Sequence, residues 1–215
     1  MQQFLRFILL LLSLISYTTF ALTISTTKFA KRGSLPSSSS FDPHDAFEAA
    51  INSTWSIFWN DTNQGFSQSD PSCPNSQTST PFQYSVVWSV AVAGMAIVQS
   101  RDISKTNQII TSLYKYQNSQ GWFSATPRGG ESFVDDNCQV LWVFIEAYEL
   151  TNNTKYLTTA NKLMELIQGQ WSNEVGGVRW KVDGDYIASI STVEAALCAV
   201  KLYEQNKDDS LLSFA

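Results

Sequence analysis

The stretch from Phe133 to Tyr148 reads FVDDNCQVLWVFIEAY, and it decides the fold of this 215-residue chain. From Cys138 onward most of its residues are apolar, whichever face of a helix they occupy. A helix that is apolar all round must be covered on all sides by other elements. The stretch therefore predicts a buried helix, and two adjacent aspartates, Asp135 and Asp136, lie where that helix begins.

Helical periodicity extends to both sides of this stretch, and amphipathic segments alternate with more apolar ones. The first, third and fifth segments have a polar face, the second and fourth have little or none, and the sixth is intermediate. The predicted helices are Pro43–Phe58, Phe82–Gln99, Ile103–Tyr116, Asp135–Leu150, Lys155–Gln168 and Ser191–Gln205. No comparable strand alternation accompanies them. The pattern predicts an all-α fold with amphipathic helices outside and apolar helices inside, as in a toroid of helical hairpins.

A repeated loop type supports this arrangement. Each outer helix is followed by an aromatic, glycine-containing loop, at Trp59–Phe66, Tyr116–Phe123 and Trp171–Trp180. The loops recur about every 55 residues, which corresponds to one hairpin per unit. Three hairpins are followed by a new helix start within residues 207–215. We therefore expect part of a ring, with the sides of the second and sixth helices exposed, in a chain that is incomplete relative to a closed fold.

The N-terminal region has the features of an export signal. A charged start is followed by the apolar run Phe7–Ile15 and by small residues up to Ala21. The predicted organisation is a signal peptide at 1–21, a possible pro-segment at 22–32 ending in Lys31-Arg32, a Ser-rich leader at 33–40 and a helical domain at 41–215. We expect a secreted protein, extracellular or in the cell wall. No transmembrane span is predicted once the signal is removed, because the apolar runs are too short.

Export is also consistent with three Asn-X-Ser/Thr sequons, at Asn52, Asn60 and Asn152, which are potential glycosylation sites. Cysteine usage is less informative, since three cysteines allow at most one internal disulfide. Cys138 and Cys198 both lie in apolar helical segments, so we expect buried thiols.

Charge and composition exclude several classes of partner. The net charge is −5 without a basic stripe, which argues against nucleic acid and against an anionic membrane surface. We expect no metal, because the cysteine spacings match no ligand pattern and His44 is the single histidine. No cofactor is predicted. The many aromatic residues of a weakly charged, exported protein make sugar stacking a reasonable hypothesis, although most of them will fill helix contacts.

The two adjacent aspartates allow two interpretations. Acidic residues in a first helical turn complement the helix dipole, which is the more general explanation. Two carboxylates next to apolar surface are costly, since each disfavours ionisation of the other. A chain tolerates such a pair mainly where a shared proton, a metal or catalysis makes use of it.

Several stretches together resemble glycoside hydrolase family 76, the fungal and bacterial endo-α-1,6-mannanases. The resemblance covers roughly residues 80–215, and the double aspartate before an aromatic helix, followed by a Gly-Gly-aromatic loop, is its most specific part. The matching stretches are Asp135-Asp136, Ile145–Thr151, Tyr156–Ala160, Gln170-Trp171, Gly176–Trp180, Ala188–Ala196 and Leu202-Tyr203.

The resemblance implies an (α/α)6 barrel, of which this chain would hold about half. It also implies a retaining glycosidase mechanism with Asp135 as nucleophile and Asp136 as general acid/base. Retaining enzymes need two carboxyl groups about 5 Å apart, which neighbouring side chains can supply. The substrate would be a polysaccharide, α-1,6-mannan, that is either hydrolysed or transferred to another sugar.

Three further residues are candidate substrate contacts. Trp122 and Trp180 lie in glycine-containing loops, where sugar stacking and packing are about equally good interpretations. Asn137 would orient a carboxylate or a sugar hydroxyl, although an asparagine near a helix start is more often a cap. For Trp142, below Asp135 on the same helix, we expect a core role.

Three functions from different classes remain open on the sequence. The leading one is a secreted α-1,6-mannan hydrolase or transglycosylase. The second is a non-catalytic carbohydrate-binding or truncated, inactive relative. The third is a sugar isomerase or epimerase of the same architecture, which is disfavoured because that chemistry usually relies on histidine pairs.

Overall fold

The structure is a computed structural model that describes residues 42–70 and 82–215, and within these ranges seven helices follow one another. They are α1 Pro43–Phe58, α2 Val87–Gln99, α3 Ile103–Tyr114, α4 Val134–Thr151, α5 Thr154–Gln168, α6 Ser189–Asn206 and α7 Asp209–Phe214. Their bounds agree closely with the predicted ones except at the start of α2. The predicted signal peptide, pro-segment and leader, together with Cys73, lie outside the described residues.

Helix α2 begins at Val87 rather than at Phe82 because the residues before it are extended. The backbone N–H of Ser85 donates to Phe66 O at 2.9 Å, and Tyr84 is bridged to Ser67. These residues therefore extend the small ladder that follows α1. Pairing to a segment far away in sequence has overridden a locally helical pattern.

The three glycine-containing loops close in a similar way. Two form antiparallel hairpins of two-residue strands, β1 Trp59–Asn60 with β2 Gly65–Phe66, and β3 Trp171–Ser172 with β4 Gly177–Val178. The middle loop has an isolated bridge between Gln117 and Phe123. The sequence pattern predicted the repeated loops but no strands, because two-residue strands leave no detectable alternation.

The helices form two layers, as predicted. Helix α4 packs against α2 and α6 in the inner layer and against α3 and α5 in the outer layer. Its buried residues point in all directions, whereas α3 and α5 each bury one apolar stripe. Residues 43–215 form one compact unit. The class is all-α, with the hairpin arrangement of an (α/α)6 toroid.

The two inner-layer helices on either side of α4 expose apolar side chains. Helix α2 exposes Trp88 and Val92, and α6 exposes Val193 and Leu197. These are the two helices whose sides were predicted to be open. Of the residues described, none belongs to a helix that is both long enough and apolar enough to cross a bilayer.

Candidate active site

The start of α4 is held in place by the loop that follows β4. The residue before the helix, Phe133, is extended, with φ −97° and ψ 139°, and is bridged to Lys181. The Val134 N–H donates to Trp180 O at 2.7 Å, and the Val182 N–H donates to Ser132 O at 3.0 Å. A short backbone ladder thus places the first turn of α4, which carries Asp135 and Asp136, directly beside the loop that carries Trp180.

The carboxylate of Asp135 is oriented by two N–H donors. The indole Nε1 of Trp180 donates to Asp135 Oδ2 at 3.0 Å, and the backbone N–H of Asp136 donates to Oδ1 at 3.1 Å. Trp180 itself packs on Phe133, with ring centroids 4.8 Å apart, while 41 % of its surface stays exposed. The structure therefore combines a fixed carboxylate with an exposed aromatic ring at one position.

Asp136 lies in a different electrostatic environment. Partial burial, and after it the nearby charges of Asp135 and Glu194, together raise the pKa of its carboxyl from 3.8 to about 7. At pH values below about 7 this side chain therefore carries a proton. Adjacent carboxyl groups in such different surroundings can divide acid and base roles between them.

Glu194 of α6 is the acidic residue that the sequence analysis missed. Its carboxylate Oε1 accepts a hydrogen bond from Gln139 Nε2 of α4 at 3.3 Å. Burial raises the pKa of this glutamate, the Gln139 bond opposes the rise, and the charge of Asp135 adds to it. A signal was present in the sequence, since Glu194 is a charged residue in the middle of an apolar helical segment.

Asn137 is completely buried, and its side-chain amide forms hydrogen bonds with backbone groups. Its Oδ1 accepts from the Phe123 N–H at 2.8 Å, and its Nδ2 donates to Phe123 O at 2.9 Å and to Phe133 O at 2.7 Å. The side chain therefore ties the middle glycine-containing loop to the start of α4. This arrangement favours a structural role over contact with a sugar, and the role is a bridge rather than the expected cap.

The other tryptophan candidates lie away from solvent to different degrees. Trp122 is 3 % exposed and belongs to the apolar core, which favours its packing interpretation over sugar stacking. Trp142 donates its indole N–H to Glu146, and the Lys201 ammonium lies 4.6 Å from its ring centroid. It thus belongs to a polar cluster in the α4–α6 interface, farther along α4 than the aspartate pair.

The three sequons occupy different positions. Asn52 lies on the exposed side of α1, and Asn152 is exposed at the left-handed residue that ends α4, with φ 56°. Asn60 is half-buried in β1, and its Oδ1 accepts from the Asn63 N–H at 2.8 Å. Glycosylation stays a prediction at all three, and their accessibility favours Asn52 and Asn152.

The two cysteines in the described ranges are buried free thiols, with Cys198 Sγ donating to Cys138 O at 3.2 Å. Within those same ranges, no group of three or more His, Cys, Asp or Glu side chains is arranged to hold a metal ion. What the site offers chemically is a pair of carboxyl groups, a third carboxylate across the helix interface and an aromatic ring.

Comparison with protein families identifies the family of this sequence. The model described as Glycosyl hydrolase family 76 matches residues 44–215. A search of the curated proteins found no match.

Solved structures show the same arrangement of helices. A family 76 mannosidase from Bacteroides thetaiotaomicron has a TM-score of 0.64 at 21 % identity, covering 80 % of this chain and 50 % of its own. An α-1,6-mannanase from Salegentibacter sp. HEL1_6 has a TM-score of 0.64 at 20 % identity, and the match covers 81 % of this chain and 49 % of the mannanase. That structure is an inactive variant with two consecutive aspartates replaced and α-1,6-mannotetrose bound. A cellobiose 2-epimerase from Bacillus thermoamylovorans has a TM-score of 0.57 at 13 % sequence identity. The match covers 78 % of this chain and 52 % of the epimerase. The chain spans about half the length of these proteins.

Proposed function

Because the chain belongs to glycosyl hydrolase family 76, we propose that it acts as a secreted glycoside hydrolase on α-1,6-mannan, by a retaining mechanism at Asp135 and Asp136. The observation that carries the proposal is the contrast between these adjacent carboxyl groups. Asp135 is held by two N–H donors, whereas burial and neighbouring charge keep a proton on Asp136.

This contrast matches the two roles of a retaining glycosidase. The Asp135 carboxylate attacks the anomeric carbon and the Asp136 carboxyl gives its proton to the departing glycosidic oxygen, so that a glycosyl–enzyme ester forms. Asp136, now ionised, then takes a proton from an incoming hydroxyl that attacks the ester and releases Asp135. Water as the acceptor gives hydrolysis, and a sugar hydroxyl gives transglycosylation.

The mannanase from Salegentibacter supports the choice of residue type, since its variant with two consecutive aspartates replaced is inactive. This chain carries two such pairs, Asp135-Asp136 and Asp208-Asp209. The second pair is exposed at the start of α7, where Asp208 caps the helix by accepting from the Ser210 N–H at 2.9 Å. The first pair lies in the partly buried, aromatic-lined site and is therefore the one proposed to react.

Trp180 is proposed to bind the sugar. Its ring is exposed beside the Asp135 carboxylate and is flanked by Tyr186, whose ring centroid lies 6.3 Å away and which is itself largely exposed. Aromatic faces of this kind suit the C–H surfaces of a pyranose ring. The epimerase has a similar fold, but fold alone does not assign chemistry, and the single histidine does not favour that alternative.

The test is incubation of the secreted chain with α-1,6-linked mannan and measurement of released oligosaccharides. We expect product from the wild type, none from Asp135→Asn, and unchanged product from the matched control Asp208→Asn. Asp136→Asn should slow cleavage of mannan far more than cleavage of an aryl mannoside, whose leaving group needs no proton.

Turnover by Asp135→Asn at the wild-type rate would refute its role as nucleophile. A folded wild type that binds mannan in a pull-down without cleaving it would replace the hydrolase with the carbohydrate-binding alternative. If NMR shows that mannan is cleaved with inversion at the anomeric carbon, the retaining mechanism would be refuted, but not the hydrolase activity.

A further inference from the structure

A carboxylate on α6 faces the aspartate pair from across the inner-layer interface. Gln139 follows Asp135 by four residues and Asp136 by three, so all three lie on neighbouring positions of one face of α4. On the opposite helix, Glu194 Oε1 accepts from Gln139 Nε2 at 3.3 Å. The hydrogen bond places Glu194 next to the helical turn that carries both aspartates.

The second oxygen of this carboxylate is buried without compensation. Neither Glu194 Oε2 nor Gln139 Oε1 has accessible surface or a hydrogen-bond partner. Leaving a buried charged group partly unsatisfied is costly, and an apolar pair would fill the same interface without that cost. A stabilising interhelical bond therefore does not account for a glutamate at this position.

The charges that act on Asp136 are of one sign. The groups that act electrostatically on Asp136 are Asp135 from its own helix and Glu194 from α6. The ion pairs Lys105–Asp102, Lys181–Glu131 and Lys201–Glu146 include none of these three carboxyl groups. Among the described residues, the charged groups that shift Asp136 include no cation. The field of Glu194 therefore acts on Asp136 without such an offset, at short range and through a poorly hydrated interface.

We propose that Glu194, fixed by Gln139, is a positioning residue for the aspartate pair, and that its carboxylate acts across the α4–α6 interface to keep a proton on Asp136. The inference rests on the proposed function, because that proton is the one given to the glycosidic oxygen. Glu194 does not touch the reacting atoms; it sets the protonation state of the residue that does.

The test follows the titration of Asp136 directly, in the full chain labelled with ¹³C at the aspartate carboxyl carbons and without any substrate. Asp136→Asn identifies the resonance. Glu194→Gln keeps the shape and the bond to Gln139 but removes the charge, so we expect the pKa of Asp136 to fall by about half to one unit. The matched control is Glu204→Gln, an exposed glutamate of the same helix, which should leave that pKa unchanged.

An Asp136 resonance that titrates at the same pH in wild type and Glu194→Gln would overturn the proposal, whether or not the chain cleaves mannan. If Glu194→Gln does not fold, Glu194→Met removes the charge without leaving a buried polar group, and the same shift is expected. In a chain that cleaves mannan, the alkaline limb of the kcat profile should move to lower pH by the same amount while KM is retained. A shifted titration in a chain without activity would support the positioning role and contradict the proposed function.

Discussion

Replacing Asp136 with asparagine should stabilise the folded protein above neutral pH. In the unfolded chain the carboxyl ionises near pH 3.8, whereas in the folded chain its pKa is about 7. The folded state thus binds the proton more tightly, and stability falls as the pH rises from about 4 to about 7. Ionised Asp136 is a destabilising group at pH 8, and the asparagine variant lacks that charge.

The size of the effect follows from the shift. About three pKa units correspond to about 4 kcal/mol of differential interaction, which we halve to about 2 kcal/mol because the side chain is partly exposed and screened by solvent. In a domain of this size, about 2 kcal/mol raises the Tm by about 4–8 °C. At pH 4 the carboxyl is protonated in the folded state, and the difference should be close to zero.

Thermal unfolding of wild type and Asp136→Asn, followed by circular dichroism at pH 4, 6 and 8, measures this difference. The surface variant Asp185→Asn removes a charge near the same site without burial and serves as the control. A Tm gain confined to Asp136→Asn and growing with pH is expected. Equal Tm values for wild type and Asp136→Asn at pH 8 would refute the electrostatic reasoning, including the protonated Asp136 on which the proposed mechanism depends.

Three other substitutions test separate parts of the structure. Asn137→Ala removes three hydrogen bonds of a buried amide and should lower the free energy of unfolding by about 3 kcal/mol in urea titrations; a loss below about 1 kcal/mol would contradict the bridging role. Gly177→Ala would place a Cβ 2.7 Å from Ile187 Cγ2 and should destabilise the protein by about 1–3 kcal/mol by calorimetry, so an unchanged Tm would argue against this packing. Trp180→Phe keeps an aromatic ring but removes the N–H donor to Asp135, and should lower kcat on mannan about tenfold with little change in KM; an unchanged kcat would separate the indole from catalysis.

The order of the helices and their division into two layers were predictable from the sequence. The stretch that forms α4 is apolar all round and must be packed against other helices on every side, whereas α3 and α5 each have one apolar stripe and need packing on one side only. These requirements are local properties of each segment, so the pattern of residues is sufficient to predict them. The start of α2 differs from the predicted one because Tyr84 and Ser85 pair with the chain near Phe66. The residues of one segment do not show which distant segment it will pair with.

The candidate site was predictable in part. Two adjacent aspartates before an aromatic helix are a conspicuous sequence feature, and Trp180 follows a Gly-Gly turn that predicts an exposed loop. Trp122 shares the same loop context but lies in the core, at 3 % exposure. Equivalent loop sequences thus led to opposite environments, because burial depends on which neighbouring helix covers the ring.

The sequence by itself determined which segments are helical, which of them must be inside and where two carboxyl groups would stand next to each other. Tertiary structure alone decided that the Trp180 indole, 45 residues from Asp135, donates to its carboxylate, and that Glu194 of another helix faces the same turn through Gln139. The physical reason is the range of the forces involved. Helix formation and burial follow from local residue patterns, whereas a hydrogen bond between helices depends on their relative rotation and register, which the packing of the whole core sets.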